Sequence, residues 1–173
     1  AEVIGVSKAP CSQHLHKVRI DFGSVRCGDV LTLEIDARAR RLTAANHSAT
    51  HLLHAALCHV LGEHVDQKGS YVDSSYLRFD FSALEKLTPK QLQDVEEEVN
   101  QKIVEAIPEV TEILPIEEAK KKGAEMEFEE KYGDSVRVVE FGDYSREFCA
   151  GTHVSNTSEI GLFVIESEGA VSS

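Results

Sequence analysis

Two pairs of residues in the sequence are of types that bind metal ions. His47 and His51 lie in a stretch rich in Ala and Leu. Residues four apart on a helix share one side of it, where two imidazoles can bind a single ion. Cys149 and His153 form a second pair, separated by Ala-Gly-Thr. Because thiolate and imidazole ligands favour zinc over magnesium or calcium, the two pairs together predict a zinc site.

Spacing along the first pair's helix leaves the set of ligands open. At about 100° per residue, His54 and Cys58 share the arc of His47 and His51, opposite the apolar residues. This pattern predicts that the histidines face solvent or a cleft and not the core, and it keeps His54 as a further candidate ligand. Four protein ligands are typical of a closed, structural site, whereas hydrolysis requires a position for water.

The pattern of apolar residues, caps and turn formers predicts the elements that position these pairs. A helix at 43–61, capped by Thr43 and ended by Gly62, carries the histidines. A second helix begins at a capping box on Thr88, and a short third helix ends at Gly123. The strands are predicted at 14–22, 30–35, 68–72, 76–81, 110–114, 136–141 and 160–166. The segments 68–72 and 76–81 are expected to pair as a hairpin.

Composition limits the class of protein and its partners. A chain of 173 residues suits one substantial domain plus a small lobe. With 42% hydrophobic and 28% charged residues, no membrane-length apolar run and no secretory signal pattern, we expect a soluble cytoplasmic protein. The net charge of −12 argues against a broad phosphate-binding surface and favours local basic contacts. The candidates for such contacts are Arg38, Arg40, Arg41, Lys120, Lys121 and Lys122.

The cysteines and the chain ends give two further expectations. The four cysteines are far apart, so disulfides are not expected, and Cys11, Cys27 and Cys58 are interpreted as ordinary reduced thiols. The chain has no initiator methionine and stops at Ser173, just after an apolar stretch. We therefore expect a piece of a larger protein.

Five motifs follow one another along nearly the whole chain. They are Asn46-His-Ser-Ala-Thr-His-Leu-Leu-His-Ala-Ala-Leu57, Gln67-Lys-Gly-Ser70, Leu77-Arg-Phe-Asp-Phe-Ser82, Cys149-Ala-Gly-Thr-His153 and Ile160-Gly-Leu-Phe163. In this order they closely resemble the editing domain of alanyl-tRNA synthetase, and also the free-standing alanyl-tRNA editing proteins. Ala150 stands where a glycine is common in that family, a change between two small residues. The chain also ends where the family continues with a glycine and paired arginines, so some basic contacts to tRNA are expected to be missing.

The resemblance implies an α+β fold of the second-additional-domain type, with helices packed on an antiparallel sheet and a small N-terminal β-barrel lobe. Residues 1–40 would be part of that lobe. Residues 41–173 would be a zinc-dependent aminoacyl-tRNA editing domain, truncated at its C-terminus. The resemblance makes His47, His51, Cys149 and His153 the ligands of one Zn²⁺ ion.

Four further residues are expected to act near the substrate, and two of them, Thr50 and Gln67, match positions that the family uses near the aminoacyl group. Thr50 and Gln67 are implied to act in catalysis and to contact the aminoacyl group. Gly151 and Thr152 are implied to bind substrate. The ordinary structural explanations are a hydroxyl on the helix for Thr50 and a polar residue of the hairpin for Gln67.

The activity implied by the resemblance is hydrolytic editing of mischarged alanine tRNA, Ser-tRNA(Ala) and Gly-tRNA(Ala), within an alanine–tRNA ligase. ATP would be used only by the full-length synthetase. The implied partners are the acceptor end of tRNA(Ala) and the remaining synthetase domains, with no membrane. The alternatives are a free-standing deacylase acting in trans, the related editing domain of threonyl-tRNA synthetase, and a tRNA-binding module in which the zinc is purely structural. Loss of folding on chelation would support that module.

Overall fold

A computed structural model describes residues 1–10, 13–83, 85–125 and 134–169 of the chain. Its helices are α1 (Ala37–Leu61), α2 (Pro89–Val104), α3 (Ile116–Lys121) and a 3₁₀ helix (Thr157–Ile160). Its strands are β1 (Glu2–Lys8), β2 (His14–Arg19), β3 (Gln67–Val72), β4 (Leu77–Phe81), β5 (Glu109–Pro115), β6 (Ser135–Phe141) and β7 (Ser145–Phe148). The chain divides into two compact units, Ala1–Ile35 and Asp36–Ser173.

The described residues of the first unit form one antiparallel strand pair. β1 pairs with β2, with Val3 opposite Val18, and the side chains of both strands are exposed. The predicted strand at 14–22 is therefore present but shorter. The prediction of a strand at 30–35 is wrong: no described residue pairs with that segment, and an unpaired strand would leave its backbone groups without partners. A barrel lobe at this end of the chain stays a prediction.

Helix α1 is longer than the sequence predicted. Thr43 lies inside the helix and is not its cap, because the side chain of Asp36 accepts a hydrogen bond of 2.9 Å from the backbone N–H of Ala39. Such a cap satisfies an amide that has no partner within the helix. The predicted end of the helix is confirmed. Gly62 has a φ of 113°, and its N–H donates to the carbonyl of Cys58.

The main hydrophobic core of the second unit lies between α1, α2 and β6. Leu52 and Ala56 of α1 pack in one buried cluster with Val95 and Val99 of α2 and with Phe141 of β6, and all five are fully buried. Apolar residues that recur every three or four positions create a continuous stripe on each helix, so the two stripes face each other. Each large side chain buried in this way contributes about 1.5–3 kcal/mol.

The start of α2 and the end of α3 follow the sequence. The predicted capping box on α2 is confirmed, since the Thr88 side chain accepts from the Gln91 N–H and the Gln91 side chain accepts from the Thr88 N–H. The predicted end of α3 is also confirmed, because Gly123 adopts a left-handed φ of 73°. A side chain at that φ would be strained, which explains a glycine there.

Both sheets of the second unit are antiparallel. The predicted hairpin is confirmed as β3–β4, with Tyr71 opposite Arg78. The other sheet has the strand order β5-β6-β7, and its first two strands were also predicted. Strand β7 was not predicted. A turn containing Gly142, whose φ is 58°, reverses the chain after β6, and β7 then contacts α1.

The prediction of a strand at 160–166 is wrong. The Asn100 side chain on α2 accepts a hydrogen bond from the Phe163 N–H and donates to the Phe163 carbonyl, at 3.0 and 2.8 Å. The Ile165 N–H donates to a carboxylate oxygen of Glu96. Helix side chains therefore satisfy the backbone groups that a neighbouring strand would otherwise satisfy.

The described residues thus combine helices with small antiparallel sheets, which confirms the mixed α and β composition expected of the fold class. The assignment of 1–40 and 41–173 to two functional domains stays a prediction. None of the described helices has both the length and the apolar character needed to cross a lipid bilayer.

Candidate metal centre

Helix α1 and the loop after β7 bring the two predicted ligand pairs together. Each of His47, His51, Cys149 and His153 offers one ligand atom, and these four atoms lie within 4.8 Å of one another. Cys149 Sγ is 3.4 Å from Nε2 of His47 and 3.3 Å from Nε2 of His153. Zinc bonds of about 2.0–2.3 Å in a tetrahedron put ligand atoms roughly 3.3–3.8 Å apart. The donor set and these spacings fit zinc.

Arg137 of β6 holds the loop that carries Cys149 and His153. Its guanidinium donates to the carbonyls of Cys149 and Gly151, both at 2.9 Å, and also to the hydroxyl of Thr111 on β5. One rigid guanidinium thus joins two loop carbonyls to the sheet. The loop geometry is therefore set by β5 and β6 as well as by its own sequence.

Each histidine of the group is in contact with another part of the protein. His153 Nδ1 is 3.1 Å from the hydroxyl of Ser48, which is fully buried and also accepts from the Val154 N–H. His47 has a backbone hydrogen bond with Thr152. Nε2 of His51 lies 3.4 Å from a Glu147 carboxylate oxygen. Metal-binding histidines in proteins are oriented in this way, through the nitrogen that does not bind the ion.

His51 also supplies a buried nitrogen that nothing satisfies. Its Nδ1 is buried and has no hydrogen-bond partner among the described residues, and the side chain is only 3% exposed. An unsatisfied buried nitrogen costs about 1–3 kcal/mol. A bound cation would give it a partner, which supports the metal interpretation independently of the ligand spacing.

The environment keeps the three imidazoles neutral. Burial lowers the pKa of His47 and His51, the latter well below 6.5. Burial, together with the neighbouring His47 and Arg137, lowers the pKa of His153 to about 3. Neutral imidazole is the form that binds metal ions, so no proton has to be removed from these rings near neutral pH.

The structure separates His54 from the four ligand candidates. Its Nδ1 is 3.2 Å from a carboxylate oxygen of Glu125 and 3.3 Å from one of Glu147, and these three residues form a second compact group. The expectation that the histidines face solvent or a cleft is wrong for His51 and His54, which are 3% and 5% exposed. Strand β7 contacts α1 and places Glu147 against both rings, so this polar arc is enclosed.

The other cysteines stand apart from this group. Cys58 is half-buried, and burial together with nearby carboxylates raises its pKa to about 11, so it remains a thiol. Cys27 is an exposed free thiol. Cys11 lies outside the described residues. The expectation of reduced thiols therefore holds at Cys27 and Cys58.

The residues predicted to contact substrate occupy different surroundings. Thr50 is buried in α1, and its hydroxyl donates to the carbonyl of Asn46 at 3.0 Å. Gln67 is half-buried at the start of β3, and its amide donates to the Ser70 hydroxyl at 3.4 Å. Gly151 lies directly against the His47 ring, and Thr152 is exposed. Their roles toward a substrate stay predictions.

Sequence reasoning missed the residues that support the group, namely Ser48, Arg137 and Glu147. A signal for Glu147 would have required strand β7, which was not predicted, because Glu147 lies on that strand two residues before Cys149. Ser48 and Arg137 carried no comparable signal. The basic candidates Arg38, Arg40 and Arg41 lie exposed in the first turns of α1, and Lys122 pairs with Glu112.

Comparison with known proteins relates this chain to a described domain family. A family model for the threonyl and alanyl tRNA synthetase second additional domain matches residues 136–173, which include β6, β7 and the loop with Cys149 and His153. The chain is thus similar to the domain that these two classes of synthetase share.

Longer matches distinguish between the two synthetases. The chain is 52% identical to an alanine–tRNA ligase of Shouchella clausii over 171 residues, covering 99% of the chain and 20% of that protein. It is 54% identical over 171 residues to that of Lactobacillus helveticus, covering 99% of the chain and 19% of the relative. It is 50% identical over 173 residues to an alanine–tRNA ligase of Streptococcus suis, covering 100% of the chain and 20% of that protein. The chain belongs to the alanyl-tRNA synthetase family, and it spans about a fifth of the length of these curated relatives.

Proposed function

We propose that this chain edits mischarged alanine tRNA by hydrolysing the ester that joins serine or glycine to the terminal ribose. The observation that carries the proposal is the convergence of His47, His51, Cys149 and His153 within 4.8 Å in a chain of the alanyl-tRNA synthetase family. These four residues would hold one Zn²⁺ ion. When bound, zinc can activate a water molecule or polarise the ester carbonyl.

Burial of the ligand residues indicates from which side a substrate could reach this centre. His51 is almost fully buried, whereas His47, Cys149 and His153 are half-buried. His51 therefore closes the inner side, and the ester would approach past the other three. Since four protein ligands fill a tetrahedral site, hydrolysis requires either one ligand to withdraw or a fifth position to open. The three less buried ligands are the candidates for this change.

Thr50 and Gln67 are the residues we assign to recognition of the aminoacyl group and to catalysis. The Thr50 hydroxyl already donates to the Asn46 carbonyl, so toward a substrate it can only accept a hydrogen bond. A serine hydroxyl or an α-ammonium group could donate that bond. The Gln67 amide can both donate and accept. We further assign Gly151 and Thr152, in the loop beside His47, to the substrate-binding surface.

Editing of this kind addresses a limit of the pocket that selects alanine. Such a pocket cannot exclude the smaller glycine, and it rejects serine only weakly, because an added hydroxyl is poorly discriminated in an apolar site. A second site that hydrogen-bonds the serine hydroxyl can disfavour alanine by about 10⁴–10⁵ in the best cases. The proposal gives Thr50 that role.

The proposed partners are the acceptor end of tRNA(Ala) carrying serine or glycine, and the remaining domains of a full-length synthetase. ATP would be used by that full-length enzyme in charging tRNA, and not by this chain. The proposed location is the cytoplasm. We also assign 1–40 to a β lobe and 41–173 to the editing domain. One observation favours a second candidate function: a complete set of four ligands is typical of structural zinc, which would make the chain a tRNA-binding module without catalysis.

The test is hydrolysis of Ser-tRNA(Ala), Gly-tRNA(Ala) and Ala-tRNA(Ala) by the chain, with and without a zinc chelator. We expect loss of the serine and glycine esters, retention of the alanine ester, and inhibition by the chelator while circular dichroism shows a folded protein. Cys149→Ala should abolish zinc binding and hydrolysis, whereas Cys58→Ala, a cysteine on α1 outside the ligand group, should keep both. If the zinc-loaded protein is folded and binds tRNA(Ala) but cleaves no ester, the structural-zinc module replaces the proposal.

A further inference from the structure

Glu147 places a buried carboxylate between two histidine rings. One of its oxygens is 3.4 Å from Nε2 of His51, and the other is 3.3 Å from Nδ1 of His54. The residue is only 6% exposed. A buried carboxylate is costly unless it is paired and hydrogen-bonded, so its position between two imidazoles has a definite physical cause. The proposed function gives this residue no role.

We propose that Glu147 is a positioning residue for the metal centre, whose carboxylate, 3.4 Å from Nε2 of His51, favours the tautomer with the hydrogen on Nε2 and holds the ring in place. His54 contacts the other oxygen of the Glu147 carboxylate and holds the carboxylate in place. The inference rests on the metal site of the proposed function and deepens it.

The chemistry of the imidazole ring links the two sides of His51. A neutral imidazole carries one N–H, and its second nitrogen has the lone pair. If Nε2 carries the hydrogen, next to the Glu147 carboxylate, then Nδ1 presents the lone pair. Nδ1 is the buried nitrogen that has no partner among the described residues. Without the carboxylate, the hydrogen could sit on either nitrogen, and the tautomer with the hydrogen on Nδ1 could not bind the ion through Nδ1.

The partner of His51 also differs in charge from those of the other two histidines. Ser48 and the backbone at Thr152, which hold His153 and His47, are uncharged groups. A carboxylate partner raises the basicity of a ligating imidazole more strongly than a neutral one does. His54 in turn contacts Glu125, whose side chain is about half exposed. Glu147 therefore makes a contribution that neither Ser48 nor Thr152 can supply.

The experiment compares Glu147→Gln with a matched control, Glu98→Gln. Glu98 also pairs with a histidine of α1, His59 at 2.7 Å, but it belongs to neither of the two groups of ligand-type residues. Zinc affinity is measured by competition with a chromogenic chelator, and coordination by the visible spectrum of the Co²⁺-substituted protein. Urea unfolding of the metal-free and zinc-loaded forms is measured in parallel.

We expect Glu147→Gln to weaken zinc binding about 10–100-fold, equivalent to about 1.4–2.8 kcal/mol, and to change the Co²⁺ spectrum. Its metal-free stability should not fall, because an amide is easier to bury than a carboxylate. Glu98→Gln should keep the wild-type zinc affinity. His54→Gln, which removes the second anchor of the carboxylate, should weaken zinc binding by a smaller factor, and it provides a separate test if Glu147→Gln does not fold.

Three outcomes overturn the inference. The first is that both Glu147→Gln and His54→Gln keep the wild-type zinc affinity. The second is that Glu147→Gln loses the same amount of stability in its metal-free and zinc-loaded forms, which indicates a purely structural role. Either can occur while the wild type hydrolyses its esters, so the proposed function would stand. The third, no zinc binding by the wild type, overturns both proposals. If the wild type binds zinc but cleaves nothing, only the proposed function fails, and the affinities still decide the role of Glu147.

Discussion

Gly151 lies so close to His47 that a side chain at this position would overlap the imidazole ring. A Cβ built on Gly151 collides with Cε1 and Nδ1 of His47, although the φ of Gly151 is not in the left-handed region. The glycine is therefore required for space and not for backbone freedom. It allows the loop carbonyls to reach Arg137 while His47 keeps its position beside Cys149.

Gly151→Ala is accordingly expected to disrupt the metal centre. Either the loop or the His47 ring must move, and overpacking of this kind costs about 1–3 kcal/mol. We expect a lower urea midpoint and zinc binding weakened at least about tenfold, as when orienting contacts of a metal site are lost. Gly169→Ala, at a glycine with open space around its Cβ position, serves as the control. Unchanged zinc affinity in Gly151→Ala would contradict the crowding argument.

Ser48→Ala should destabilise the protein through the loop that follows Cys149. The Ser48 hydroxyl accepts from the buried Val154 N–H and contacts His153 Nδ1. Its removal leaves buried polar groups without partners, which costs about 1–3 kcal/mol of unfolding free energy. Urea denaturation of the metal-free protein measures this loss. Ser158→Ala, an exposed serine, should change stability by less than about 0.5 kcal/mol. Equal losses of stability in Ser48→Ala and Ser158→Ala would refute the stabilising role of the Ser48 hydroxyl.

The metal-free protein should lose stability as the pH falls. Burial lowers the pKa of His47 and His51, and that of His153 to about 3. The unfolded chain, with histidine pKa values of about 6.5, then binds more protons than the folded one. Stability therefore falls from about pH 6.5 downward, by up to about 1.4 kcal/mol per pH unit for each histidine. Glu147 has the opposite effect, because burial raises its pKa and its protonated form stabilises the folded state at low pH.

Substitution of one histidine isolates its part of this pH dependence. His153→Gln should reduce the slope of unfolding free energy between pH 6.5 and 4 by up to one proton, measured by urea denaturation at several pH values. The interpretation fails if the slope of His153→Gln equals that of the wild type.

Asn100→Ala should release the segment that follows the 3₁₀ helix. The Asn100 side chain satisfies both the N–H and the carbonyl of Phe163, and loss of two partly buried hydrogen bonds costs about 1–3 kcal/mol. We expect faster amide hydrogen exchange at Phe163 and Ile165. Gln101→Ala serves as the control. It removes the amide of a neighbouring exposed residue, which donates to Glu105 and not to that segment. Exchange at Phe163 that is equally slow in both variants would show that another contact holds the segment.

Much of the fold was predictable where the determining contacts are local. The Thr88 capping box, the ends of α1 and α3 at Gly62 and Gly123, and the β3–β4 hairpin all depend on residues close in sequence. The errors arose where distant residues decide the structure. At 160–166, side chains of α2 satisfy the backbone, and at 30–35 no strand is available for pairing among the described residues.

The sequence by itself determined the types and pairing of the candidate ligands, because His47 with His51 and Cys149 with His153 are each four residues apart. Only the tertiary structure decided that the two pairs meet, that His54 joins Glu125 and Glu147 instead, and that Ser48 supports His153. Ser48 and His153 are separated by 105 positions, and His54 and Glu147 by 93. The spacing of residues along the chain fixes the relative placement of side chains only within one helix or strand, whereas contacts between elements depend on how the whole core packs.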